Sequence, residues 1–189
     1  MTKEELISIL SAPMQFQMVA NATMILENNN IKLPDLFEIT FHSKKEIAFR
    51  AAWMLEYLMI NKPEEFVKHL SLLCNLLPQQ KNQSAMRHYS KIFSLLTDKR
   101  ANALYQQAIN NIDFEPVIEV LFAWLVEPEV LVATKVHCMQ TLANLSGKFD
   151  WIRDELLQTI YYLERKESVA FFARARVVKK TLGRYKSHS

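Results

Sequence analysis

The chain has 189 residues, half of them hydrophobic and 23% charged, enough for one full domain with a sizeable core. Its two glycines are too few for the phosphate loops of a doubly wound nucleotide fold or the tight turns of a barrel, and they exclude GxGxxG and Walker motifs outright. The formal net charge of +3 is unevenly placed: residues 165–189 set Arg165, Lys166, Arg174, Arg176, Lys179, Lys180, Arg184 and Lys186 against Glu167, while the rest is mildly acidic. Such a tail suits either a solvated outer helix or contact with an acidic partner, a phosphate backbone or an anionic surface.

Periodicity and caps predict helices throughout. Thr2 and Glu5 have capping-box spacing for a helix over 2–10. A second is expected over 14–27, ending in Asn28-Asn29-Asn30, and a short third begins at Pro34. Ser43 and Glu46 repeat the capping-box pattern for a fourth, running to Ile60 with Ala48, Ala51, Ala52, Leu55 and Leu58 as its buried stripe. Pro63, Glu64 and Glu65 open a fifth that stops at Pro78. A sixth spans 83–97 with Met86, Tyr89, Ile92, Phe93 and Leu96 inward; a seventh covers 99–110; an eighth follows Asp113. The ninth is expected from Pro128 to Ser146, with Gly147 as its C-cap glycine. Asp150 and Ser168 are the expected caps of the tenth and eleventh, leaving a frayed tail at 184–189. Segments 36–41 and 117–122 pass for strands locally, but their flanks are helical.

One pattern returns in four of these helices: AFRAAWMLEYL at 48–58, AMRHYSKIFSLL at 85–96, VATKVHCMQTLANL at 132–145 and AFFARARVVKKTL at 170–182. Aligning Leu58, Leu95, Leu142 and Leu182 gives intervals of 37, 47 and 40 residues, the longest leaving room for an extra short helix or a bend. Repeats at this period mean stacked helix pairs, since one amphipathic pair cannot bury its own apolar face.

These periods, the paired helices and the small-plus-basic start of each second helix resemble HEAT/armadillo-like proteins over residues 40–182. Arg50, Arg87, Lys135 and Arg174 match the family's basic position in the second helix, while Gln80 and Lys81 stand where its turn carries an aspartate. The resemblance implies an all-α fold: a right-handed α-α superhelix of about eleven helices in four to five pairs, as a single domain over 1–189. Residues 1–42 form its N-terminal cap and 43–183 its repeats. It also implies a concave surface lined by the second helices.

Signatures of chemistry are absent from the sequence. There is no HExxH, CxxC or GxSxG, and the carboxylate pairs Glu4-Glu5, Glu64-Glu65 and Glu127/Glu129 sit at helix starts, where the helix dipole accounts for them. Glu65 and His69, four apart, read as a surface pair. No catalytic residue, metal ligand or cofactor is predicted, and the chain is not expected to be an enzyme. Cys74 and Cys138 lie in apolar helices and read as free thiols. No segment suits a membrane span, the N-terminus lacks the basic start of a secretory leader, and the expected location is the cytoplasm. Trp53 and Trp151 read first as core residues. Tyr161-Tyr162 and Phe171-Phe172 cannot both face inward, so the last repeat has surplus aromatics that suit a docked partner or a second copy of the chain.

The leading expectation is a helical-repeat scaffold that binds another protein. Its candidate surface is Arg50, Arg87, His88, Lys135, Arg174, Arg176, Lys179, Lys180, Tyr161 and Phe172. The alternative is a nucleic-acid-binding protein using the basic C-terminal helix, distantly like the HEAT-like DNA alkylation-repair proteins, with Lys44 and Lys45 adding to the positive surface.

Overall fold

A computed structural model describes residues 1–12 and 31–184. The helix expected over 14–27 lies outside them, as do the last five residues. The described residues contain helices and no strand: α1 (Lys3–Ser11), α2 (Leu33–Ile39), α3 (Lys45–Asn61), α4 (Pro63–Phe66), α5 (Leu70–Leu76), α6 (Gln83–Leu96), α7 (Ala103–Ala108), α8 (Glu115–Val126), α9 (Val132–Leu145), α10 (Asp150–Leu163) and α11 (Val169–Arg184). Short 3-10 turns follow α4, α5 and α7. Both strand-like segments are helical, and α7 fills the long interval between repeats. The chain divides into two compact units, Met1–His88 and Tyr89–Ser189.

Several ends follow from local chemistry. The capping box of α1 forms as the sequence predicts: Thr2 Oγ1 accepts from the Glu5 N–H at 3.2 Å, and Glu5 Oε2 accepts from the Thr2 N–H at 2.8 Å. The box expected at Ser43 does not form, because α3 starts one residue too late for it. Lys44 is the N-cap, and His42 Nδ1 accepts its N–H at 3.0 Å. Asn82 Oδ1 caps α6 by accepting from the Ser84 and Ala85 N–H groups, and Asp113 Oδ1 takes the Glu115 N–H before α8. The expected continuous helix over 63–77 is broken by a 3-10 turn at Val67–His69, and Pro78 sits inside a second such turn instead of ending the structure. Helix α9 begins four residues after Pro128, because residues 127–130 close a turn through the Val130 N–H and the Glu127 carbonyl. Phe149, not Asp150, is the N-cap of α10.

In the first unit, α3 packs on α1, α2 and α4. Its Ala48, Ala51 and Ala52 are fully buried, and their small side chains allow neighbouring helices to approach closely. Phe37 and Phe66 meet with ring centroids 6.0 Å apart in the same core. In the second unit, α9 is the central element and packs on α8, α10 and α11. Cys138, Met139 and Leu142 of α9 and Phe171, Ala175, Val178 and Leu182 of α11 are buried. Burying a side chain of leucine or phenylalanine size contributes about 1.5–3 kcal/mol each.

Polar contacts join the layers within each unit, and their partners lie 32 to 50 residues apart, about one repeat. Arg50 donates to the Leu10 and Ala12 carbonyls at the end of α1, at 2.5 and 2.8 Å. Gln80, buried in the turn before α6, donates to the Thr40 carbonyl that closes α2 and accepts the Asn82 N–H. Asn144 donates to the Ser94 carbonyl in the last turn of α6 at 3.1 Å, and Lys148 to the Ile109 carbonyl after α7 at 3.1 Å. The acceptors lie at or just beyond helix C-termini, where carbonyls lack the usual intrahelical partner, except that the Ile109 carbonyl also accepts the Ile112 N–H of its own turn. Two acid–base pairs span the same interval. His88 Nδ1 lies 2.7 Å from Glu56 Oε2, and Lys135, with its side chain 1% exposed, pairs with Glu167 in the turn before α11.

Two stability tests follow. A lysine so deeply buried depends on its carboxylate, and breaking such a pair on one side costs about 3–5 kcal/mol. Lys135→Met alone should therefore lower urea stability by about 3 kcal/mol, whereas Lys135→Met with Glu167→Leu should recover most of that loss. A loss in the double variant equal to the sum of the Lys135→Met and Glu167→Leu losses would show that the pair is not coupled. Gly147 has no positive φ, and a Cβ built there meets nothing within 4 Å, so it is not the left-handed C-cap the sequence suggests. Gly147→Ala should be tolerated and raise stability by about 0.5 kcal/mol through the unfolded chain. A left-handed cap would instead be destabilised by the same change.

Candidate functional site

The predicted surface residues separate into structural and available groups. Arg50 is spent on the end of α1, His88 is buried against Glu56 and the Phe49 ring, and Lys135 is buried against Glu167. His88 and Lys135 are buried, and the half-buried Arg50 has its guanidinium bound to backbone carbonyls. Arg87 is exposed on α6. Lys179 pairs with Glu164 and lies over the Tyr161 ring, 4.9 Å from its centroid, while Arg176 and Lys180 are exposed. Phe171 is buried and Phe172 half-buried. Both Tyr161 and Tyr162 are exposed, and Lys166 covers the Tyr162 ring at 3.8 Å. Trp53 is half-buried against Tyr57, and Trp151, 47% exposed, stacks on Phe122 instead of entering the core.

A cleft in the second unit is lined by Arg174, alone among the predicted residues. This cleft has a volume of about 730 Å³ and is faced by three second helices, α6, α9 and α11, with the turn after α6. Each element contributes positions spaced i, i+3, i+7, the spacing of one helix face: Lys91, Ser94 and Asp98; His137, Gln140 and Asn144; Arg174, Val177 and Thr181. The three sets align at intervals of 46 and 37 residues. In this register Arg174 stands opposite His137. The sequence pattern pairs it with Lys135, two residues away. Two residues turn a helix by about 200°, which is why Lys135 points into the core while His137 and Arg174 face the cleft.

A hydrogen-bonded ladder crosses the cleft floor. Arg174 Nη1 donates to Gln140 Oε1 at 3.0 Å, Gln140 Nε2 donates to Asn144 Oδ1 at 2.8 Å, and Asn144 Nδ2 donates to Thr97 Oγ1 and the Ser94 carbonyl. Local pattern does not reveal these polar residues as a site, because their partners are a repeat away. The recurrence of i, i+3, i+7 polar positions on helices otherwise read as core is the signal that marks them.

The cleft is basic. Lys91, Lys99, Arg100 and Arg174 line it against one carboxylate, Asp98. Asp98 is bound by its neighbour: Oδ1 and Oδ2 accept from the Arg100 guanidinium at 3.0 and 3.1 Å, and Oδ1 from the Arg100 backbone N–H at 2.8 Å. These bonds hold the Asp98 carboxyl below the usual carboxylate range and raise the Arg100 guanidinium. The negative charge is thereby satisfied within the turn.

Neither thiol is activated. Burial pushes Cys74 up to about 11 and raises Cys138 as well, so both stay protonated near neutral pH, where a nucleophile needs the thiolate. Among the described residues no three His, Cys, Asp or Glu side chains gather as a metal site would need, and no helix is long and apolar enough to cross a membrane.

The HEAT repeat domain matches this sequence over residues 6–181. No curated protein and no solved structure matches it. The family match covers nearly the whole chain and agrees with helix pairs joined at one-repeat intervals: the chain belongs to the HEAT repeat family.

Proposed function

We propose that this HEAT repeat protein is a non-catalytic interaction module of the cytoplasm, binding another protein through the cleft faced by α6, α9 and α11. The observation that carries this reading is the alignment of three polar i, i+3, i+7 stripes along one cleft, fixed by a ladder that holds its side chains before any ligand arrives. Preorganisation of this kind reduces the ordering cost of association. Val177, about half exposed beside Arg174, adds an apolar contact within the polar lining.

The dispersal of charge on α11 weighs against the nucleic-acid alternative. At about 100° per residue, Arg174 flanks one side of the buried stripe Phe171, Ala175, Val178 and Leu182. Lys179 flanks the other side, and Arg176 and Lys180 point away from the core. A phosphate backbone is tracked by cations gathered on one surface, whereas these occupy three.

The test is steric and leaves the charge unchanged. Cross-linking and affinity capture from the native cell should recover a partner with the wild-type chain and lose it with Val177→Trp, which fills the cleft. Circular dichroism should be identical for the two. A partner set unchanged by Val177→Trp would overturn the cleft as its seat. Retention on duplex DNA at low salt, abolished by Arg176→Gln with Lys180→Gln but not by Val177→Trp, would favour nucleic acid instead.

A further inference from the structure

Resting on that reading, the geometry points to an acidic protein segment as the occupant of the cleft, with a carboxylate of that segment docked on Arg174. The inference starts from what several basic side chains hold. Lys3 pairs with Glu38, Arg100 with Asp98, Lys135 with Glu167 and Lys179 with Glu164. Arg50 holds carbonyls at the negative end of α1. Arg174, inside the cleft, is held instead by a neutral side chain, the amide of Gln140.

A carboxylate in that position would cancel the charge, whereas an amide oxygen orients the guanidinium and leaves the charge uncancelled. One of its five donors is used by Gln140, and the planar fork retains the geometry that matches a carboxylate with two parallel hydrogen bonds. The Gln140 amide is held in place in turn by Asn144, and Asn144 by α6. Arg174 is thus presented on a rigid support, half-buried at the wall of a concave surface where charge-assisted bonds are stronger than in open water.

The surroundings extend the match. Lys91, Lys99 and Arg100 line the same cleft, and Asp98, the one carboxylate among its described lining residues, is occupied by Arg100. The hydrogen-bonding capacity of Gln140 and Asn144 is largely spent within the ladder, so the floor offers few amide donors for reading a neutral chain. Charge is what remains to be recognised. A protein segment fits better than a nucleic acid because the cations outside the cleft on α11 do not continue its basic line.

The experiment uses the full chain and a fluorescent oligoglutamate peptide at low salt, read by anisotropy. Wild type should bind, and binding should weaken as salt rises. Gln140→Glu places a carboxylate beside Arg174 at nearly constant shape and should weaken binding about tenfold or more, the scale of one charge-assisted hydrogen bond. Arg174→Gln should do the same and guards against a folding defect in the first variant. Arg176→Gln, an equal loss of charge outside the cleft, should change affinity less than about twofold.

The inference is overturned if wild type ignores the peptide, if Gln140→Glu binds as well as wild type, or if Arg176→Gln loses as much as Arg174→Gln. It is overturned also if oligolysine, or duplex DNA sensitive to Gln140→Glu, binds more tightly. Failure here with a partner still lost on Val177→Trp would leave the cleft as an interaction site for a segment of different chemistry. Failure of both would remove the cleft itself.

Discussion

Every helix ends in carbonyls that have no partner within it, and stacking helices in layers places those ends against the next layer. The structure depends on meeting that demand from one repeat away. Arg50 serves the end of α1, Gln80 the end of α2, Asn144 the end of α6 and Lys148 the turn after α7. Apolar packing supplies most of the favourable free energy, but it has no direction, and a sliding layer would lose little of it. A side-chain donor aimed at one particular carbonyl gives the stack its register. Leaving such a buried acceptor unmet costs about 1–3 kcal/mol, a sizeable part of the margin by which a domain is stable.

The same demand explains the departure at Gln80. An aspartate at that point in the turn would accept hydrogen bonds but offer no donor. Gln80 does both, taking the Asn82 N–H with Oε1 and giving Nε2 to the Thr40 carbonyl. The acidic turn position reappears in the last repeat as Glu167, where its partner is Lys135 from the preceding helix pair. Different residues thus solve one problem at successive junctions, which makes the repeat weak as a sequence pattern and strong as a structure.

The legibility of the chain follows from this division. Apolar stripes, alanine runs and the Thr2–Glu5 box are local, and they predict most of the described helices and their core faces; of the two expectations for the long interval, an extra helix or a bend, the structure has the helix α7. What depends on a partner 32 to 50 residues distant is not local. Lys135, Arg50 and His88 look like surface cations in the sequence because nothing nearby shows Glu167, the end of α1 or Glu56. Matching the basic residues of the second helices pairs Lys135 with Arg174, whereas the cleft register pairs Arg174 with His137, and that offset of two residues exchanges the core face for the cleft face. Charge counting has the same weakness. The C-terminal segment is rich in cations, yet Lys179 is paired with Glu164 and the remainder divide among faces of one helix.

On α9 the stacking residues and the cleft lining occupy opposite sides of one helix. Lys135 and Cys138 are buried toward the core, while His137 and Gln140 face the cleft. Asn144 is the exception: its side chain lines the cleft, accepts from Gln140 and also satisfies the Ser94 carbonyl at the end of α6. The position of Arg174 is consequently transmitted through Gln140 to the residue that ties α9 to α6. Any shift between those layers displaces the guanidinium, so the precision of the cleft is set by the same hydrogen bonds that hold the repeats in register.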